Sequence, residues 1–283
     1  MERKIIGILP LSITLLSTII VFSFYQSTYA QCESSLKLEG SISVKCCEPD
    51  ENCIPAGKAV YEYMEKKLGD DPSTFSIGLQ ASPWHLYDGE MRILTLEELA
   101  LMIKPELIEP IKSVLLVGSW TGIAPEINGK SIAQKLSQIL DGFPVTGMNG
   151  FVWLDKDGNV RTTNQAFTMK SNCPYGIHPG DEVMVSLVAG WPVEFEQHYF
   201  ENKDSDGIMR SGAGWDIYML CPEKAINRFE AAAKLGNPIA AYNAALMYIE
   251  SDQKDNAEKA ISYLKKAAAL GDRKAQMKLQ ELQ

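Results

Sequence analysis

The chain has 283 residues, is 46% hydrophobic and 22% charged, and carries a formal net charge of −9. That length predicts two modest domains rather than one. An acidic chain lacks the basic face that nucleic acid or anionic lipid needs, so neither is expected as its main partner.

Arg3 and Lys4 open a positively charged leader, and Ile5 to Phe24 is mostly apolar. Thr28-Tyr29-Ala30 sets small residues at the two cleavage-determining positions. This predicts a secretory signal over residues 1–30, cut after Ala30. An uncleaved anchor is disfavoured by Pro10 and by the Ser and Thr residues of the apolar run. A lipoprotein signal at Cys32 is disfavoured by the large Gln31 before it. The expectation is export, most directly to the periplasm, with membrane contact only through a retained signal. All six cysteines (Cys32, Cys46, Cys47, Cys53, Cys173 and Cys221) lie beyond the leader. An even count in an oxidising compartment predicts disulfides. Sequence order pairs Cys173 with Cys221 and leaves three pairings open among the other four. A zinc site is disfavoured, because Cys46, Cys47 and Cys53 offer no Cys-x-x-Cys pairs and no nearby histidine.

Residues 31–70 form a Cys-rich extension ending in a helix, with Val60, Tyr63, Met64 and Leu68 at helical spacing and Gly69 as its stop. A domain of strands and helices is expected over 71–222, its C-terminal part rich in strand. Phe75 to Gln80 predicts a strand that runs into a loop at Trp84-His85. Thr95 and Glu98 form a capping box for a helix from Leu96 to Ile103. Val114 to Val117 is a continuous apolar run that predicts a strand buried on both faces. It ends at Gly118-Ser119-Trp120-Thr121-Gly122, the kind of strand end where α/β proteins place ligands and nucleophiles. A helix over Ser131 to Leu140 and a strand at Pro144 to Thr146, continued at Phe151 to Trp153, complete a βαβ unit with a parallel sheet. Asp155-Lys156-Asp157-Gly158 predicts a tight turn. Glu182 to Val188 and Trp215 to Leu220 are candidate strands, and Asn202 to Gly214 a candidate loop. Asn202-x-Asp204-x-Asp206-Gly207 matches the start of a calcium loop, but its twelfth position is Ala213, so no metal is expected there. Gly129-Lys130-Ser131 lacks the first glycine of a phosphate loop, where Ala124 stands. No cofactor is expected.

Residues 223–283 repeat themselves. The run from Ala225 to Asn237 aligns with that from Ala260 to Asp272, and Ala240 with Ala275, at an offset of 35 residues. A period of that size predicts helical pairs, here one full pair and the first helix of a second. Its A-A-x-x-G-x-x-x-A spacing resembles the Sel-one-like subclass of tetratricopeptide-type repeats, which implies protein–protein contact.

The stretch from residue 75 to 160 resembles the caspase-like cysteine peptidases, the fold shared by caspases, gingipains and CHAT-type domains. An apolar strand ends at a residue followed by x-T-G, a helix comes next, then a V-T-x-x-x-G-x-V-W-like strand, and an upstream strand leads to a histidine. The resemblance implies an open, mostly parallel sheet flanked by helices, followed here by the helical repeat tail. It maps the family's nucleophile onto Ser119 and its histidine onto His85. A serine is far harder to ionise than the expected cysteine, and His85 is followed by Leu86 rather than glycine. Both departures point to a degenerate, non-catalytic domain. The expectation is an exported binding protein, such as an immunity or inhibitor protein facing a secreted toxin or effector. The alternatives are a Ser119/His85 peptidase, with Trp120 at its pocket mouth, and an exported scaffold.

Overall fold

The computed structural model describes residues 32, 36, 38–45, 47, 52–168, 175–178, 180–185, 193, 195–251 and 256–282. The leader expected over 1–30, Cys46 and Cys173 lie outside the described residues. Gln31–Gln283 forms one compact unit. Among the described residues no helix is long and apolar enough to cross a membrane.

The N-terminal extension is tied down by disulfides and packs through its helix, where Ala59, Val60 and Tyr63 are buried. Strand β1 (Ser41–Ser43) and β2 (Ile54–Pro55) are short, and α1 (Ala56–Met64) follows. Cys47 is bonded to Cys53, and Cys32 to Cys221 across 189 residues. The pairing of Cys221 with Cys173 predicted from sequence order is therefore incorrect: the N-terminal stretch of chain reaches back over the fold to the start of the repeat tail.

The α/β part begins with β3 (Thr74–Gly78), β4 (Gln80–Ala81), β5 (Leu86–Tyr87) and β6 (Ile93–Leu94). Next come α2 (Leu96–Ile103), β7 (Ser113–Val117), α3 (Ile132–Ile139) and β8 (Val145–Thr146). Strands β3, β7 and β8 form a parallel sheet in that order, with Phe75 opposite Val114 and Val114 opposite Val145. Both helices form where their caps dictate. Thr95 accepts from the Glu98 amide at 3.2 Å and Ser131 from the Gln134 amide at 3.2 Å, each answered by the third residue's side chain. They lay Leu99, Ile103, Ile132 and Leu136 over Val114 and Leu116 on one face of the sheet. Each such buried aliphatic contributes roughly 1.5–3 kcal/mol.

Strand β9 (Phe151–Leu154) does not continue β8, as its sequence suggested. It forms an antiparallel sheet with β10 (Val160–Thr163) and β13 (Val183–Met184). The turn between β9 and β10 falls at Asp155 to Gly158, where the Asp155 carboxylate accepts from the Asp157 and Asn159 amides at 2.9 Å. Strand β11 (Ala166–Thr168) pairs with β1, and β12 (Gly176–Ile177) with β2.

The rest is helical: α4 (Glu196–Glu201), α5 (Ser205–Ile217), α6 (Pro222–Lys234), α7 (Pro238–Glu250), α8 (Asn256–Ala269) and α9 (Arg273–Glu281). Two expectations fail here. The predicted loop over 202–214 and the predicted strand from Trp215 give way to α5, capped by Asp204, whose carboxylate accepts from the Gly207 amide at 3.0 Å. The calcium-loop pattern is thus a helix cap. The glycines that argued for a loop serve packing: a Cβ on Gly212 would stand 2.8 Å from the Phe229 ring on α6, and one on Gly207 2.4 Å from the Tyr199 ring.

The tail holds two complete helix pairs, α9 supplying the member absent from the sequence reading. The 35-residue equivalents do the same work. Gly236 and Gly271 take φ of +93° and +91° and end the first helix of each pair. Asn237 and Asp272 cap the second helices, accepting from the Ala240 and Ala275 amides at 2.8 and 2.9 Å. Ala225 and Ala260, Phe229 and Leu264, and Ala232 and Ala267 are all buried, small residues alternating with large where helices cross.

The tail docks on its own α/β part. The Asn243 side chain accepts from the Ile93 amide and donates to the Met91 carbonyl, both at 2.8 Å. Arg92 pairs with Asp272, and Lys274 with Glu98 at 3.1 Å.

Candidate functional site

The turn that follows β7 is closed from above. The Trp120 amide donates to the Gly150 carbonyl at 3.0 Å, and the Gly122 amide to that of Met148 at 2.8 Å. Thr121 Oγ1 donates to the Gly118 carbonyl at 2.8 Å and accepts from the Met148 amide at 3.0 Å. Gly147 and Gly122 permit this close approach, because a Cβ on Gly147 would lie 2.5 Å from the Thr121 backbone. Ser119 is 1% exposed, and its Oγ accepts from the Val152 amide at 3.0 Å. Trp120, expected at a pocket mouth, is buried instead and meets the Phe151 ring edge-to-face at 5.3 Å.

His85 sits in the loop between β4 and β5 and faces a different way. Its Nδ1 lies 2.9 Å from Asp216 Oδ2 on α5, and its Nε2 3.1 Å from Glu250 Oε2 at the end of α7. The Asp216 carboxylate, wholly shielded from solvent, is the hub of the cluster. The same Oδ2 accepts from Ser82 Oγ at 2.7 Å and from the Tyr87 hydroxyl at 2.9 Å. Ser82 Oγ in turn accepts from the His85 amide at 3.0 Å, fixing the loop. Burial alone would lower the His85 pKa, but the Asp216 and Glu250 carboxylates more than offset it and push it up to about 10. His85 is an imidazolium at neutral pH, with both N–H groups committed to carboxylates. Burial, then the Asp216 charge, hold the Tyr87 phenol well above its ordinary value, so it remains a donor.

These geometries decide what the predicted pair can do. A general base needs an unprotonated nitrogen within reach of the hydroxyl it activates. No hydrogen bond joins Ser119 to His85 among the described residues, and neither ring nitrogen of His85 is free to take a proton. The structure does not assemble a Ser/His nucleophile. His198 lies on α4 beside Asn202.

A cleft of about 650 Å³ opens beside His85, between the α/β part and the tail, walled by Trp84, Leu96, Ile132, Met247 and Glu250 among others. Ser119 does not line it. Asp216 and Glu250, the residues sequence reading missed, lie far from His85 in the chain. Asp216 alone left a trace: it is a lone acid in the apolar run Gly214-Trp215-Asp216-Ile217-Tyr218, where an unpaired charge would be costly. Of the candidate metal ligands, Cys32, Cys221 and Glu223 cluster, but the two cysteines are bonded to each other.

No curated protein and no solved structure matches the chain. A family model described as a domain of unknown function (DUF8616) matches residues 49–162, the span that carries Ser119 and His85 but neither of the carboxylates that hold His85.

Proposed function

We propose that the protein is an exported, most directly periplasmic, protein-binding protein in which a degenerate caspase-like α/β part does not catalyse and Sel-one-like helical repeats contribute the contacts, as in an immunity or inhibitor protein that meets a secreted toxin or effector. One observation carries the reading: His85 is held as an imidazolium between Asp216 and Glu250 while the Ser119 hydroxyl is buried under Val152. A residue pair so arranged is structural. The cysteine bonds fit an oxidising compartment. The cleft beside His85 gives the partner a concave site of adequate size for a peptide segment.

The test is labelling of the purified protein with a fluorophosphonate serine probe, wild type beside Ser119→Ala and Ser119→Cys. The expected outcome is no labelling of wild type at residue 119 and no reaction of Ser119→Cys with a thiol-directed peptide electrophile. Wild-type labelling that disappears in Ser119→Ala restores the peptidase alternative and overturns the reading.

A further inference from the structure

The two carboxylates on His85 are not equivalent. Asp216 is 0% exposed and is held by Ser82 and Tyr87 as well as by the imidazole. Glu250 has a side chain 51% exposed, and among the described residues its only ion pair or hydrogen bond is the one to His85 Nε2. It also closes α7, where a negative charge faces the negative end of the helix dipole. His85 itself is 5% exposed. A buried cation therefore has one buried partner behind it and one half-exposed partner on the cleft side. The cleft wall carries Lys130, Lys135 and Lys278 besides His85, against Glu97, Glu126 and Glu250. Of these cations, His85 is paired from behind by Asp216 and Lys278 by Glu281, each at 2.9 Å, which leaves Lys130 and Lys135 as those a ligand would meet. Lys130 and Lys135 have no carboxylate within ion-pair distance among the described residues.

We propose that this cleft binds a carboxylate-bearing peptide segment, that His85 Nε2–H anchors the carboxylate, and that Glu250 is an internal counter-ion which the ligand displaces. The proposal rests on the protein-binding reading and specifies the chemistry of the bound segment. Its physical basis is competition. Glu250 is half exposed and its side chain makes no other hydrogen bond or ion pair among the described residues, so a ligand carboxylate can take its place, whereas Asp216 remains behind His85 as the counter-ion that a buried cation needs. Asp216 neutralises His85 from behind, Glu250 occupies its outward N–H when the cleft is empty, and an incoming carboxylate takes over that N–H and meets the nearby lysines. Because the internal competitor occupies the anchor, it lowers apparent affinity by the fraction of time it is bound.

The test titrates wild type, Glu250→Ala and His85→Gln with three probes: N-acetyl-glycylglycine, its C-terminal amide, and N-acetyl-glutamic acid α-amide. Affinity is read by titration calorimetry for all variants, and in wild type and Glu250→Ala also from the imidazole nitrogen shift of His85 in histidine-labelled protein. A carboxylate probe is expected to move the His85 signal, the neutral amide to leave it, Glu250→Ala to bind the same probe roughly 3–10-fold more tightly, and His85→Gln to lose binding. The stronger of the two carboxylate probes tells a chain terminus from an acidic side chain. If His85→Gln does not fold, Lys130→Ala tests the exposed rim and is expected to weaken the carboxylate probe several-fold. The proposal is overturned if Glu250→Ala binds a carboxylate probe no more tightly than wild type, or if the amide moves His85 as far as the acid does. Such a result leaves the Ser119 labelling experiment, and the reading it tests, untouched.

Discussion

Replacing Asp216 by asparagine keeps the shape of the cluster and removes the charge at its centre. In the native protein one oxygen of Asp216 accepts from Ser82, Tyr87 and His85 at 2.7–2.9 Å, with no access to solvent. Breaking a buried ion pair from one side costs about 3–5 kcal/mol. Glu250 still stands 3.1 Å from the other ring nitrogen, which places the expected loss at the low end, about 3 kcal/mol at neutral pH. The pH dependence follows from His85. Its folded-state pKa is raised from the ordinary 6.5 to about 10, so the stability it contributes is complete below about pH 6.5 and is lost as pH rises through about 10. A tenfold gain in proton affinity on folding corresponds to about 1.4 kcal/mol. Asp216→Asn removes the leading charge that raises this pKa, so the variant loses less over the same window and the gap between the two proteins narrows toward high pH. Urea unfolding of both proteins between pH 6.5 and pH 10 measures it. A gap under about 1 kcal/mol at neutral pH, or a gap unchanged at pH 10, refutes the account of His85 as a doubly paired imidazolium.

Gly212→Ala should destabilise by about 1–3 kcal/mol, because its methyl would meet Phe229 and force α5 from α6; a Tm equal to wild type would show that the helices have slack. Asn243→Ala leaves the Ile93 amide and the Met91 carbonyl unpaired inside the tail junction, an expected cost of about 1–3 kcal/mol by urea unfolding. Peptide mapping without reduction should recover Cys32 joined to Cys221 and Cys47 joined to Cys53. Cys32→Ser should lower stability by roughly 2–5 kcal/mol, and recovery of a Cys173–Cys221 peptide would overturn the observed connectivity.

What the sequence disclosed, and what it hid, divides by range. Caps are local chemistry, so Thr95 with Glu98 was legible within four residues, while the helix after Ser131 was legible from its apolar spacing and its Ser131–Gln134 cap emerged with the structure. The repeat was legible because equivalent helix ends, Gly236-Asn237 and Gly271-Asp272, recur at a fixed spacing. Helix α5 was not, because glycine lowers helix propensity and only the neighbouring Tyr199 and Phe229 rings explain why glycine is needed there. The histidine was visible as a candidate, yet its role was set by Asp216 and Glu250, 131 and 165 positions further on. No spacing rule links side chains over such intervals. Disulfide connectivity is hidden in the same way, since any two cysteines of an even set are equally plausible on paper.

The bond between Cys32 and Cys221 also sets a problem of timing. A chain delivered N-terminus first into an oxidising compartment exposes Cys32, Cys46, Cys47 and Cys53 long before Cys221 arrives. The bridge between Cys47 and Cys53 spans 6 residues and can close at once, whereas the partner of Cys32 emerges 189 residues later. Throughout that interval the thiols open to Cys32 are those of Cys46, Cys47, Cys53 and later Cys173, and premature oxidation yields links that must be broken by thiol–disulfide exchange before the tail can be fastened. Maturation in the cell would then depend on a disulfide isomerase and not merely on an oxidase, and strains lacking the isomerase would accumulate mispaired, protease-sensitive chains.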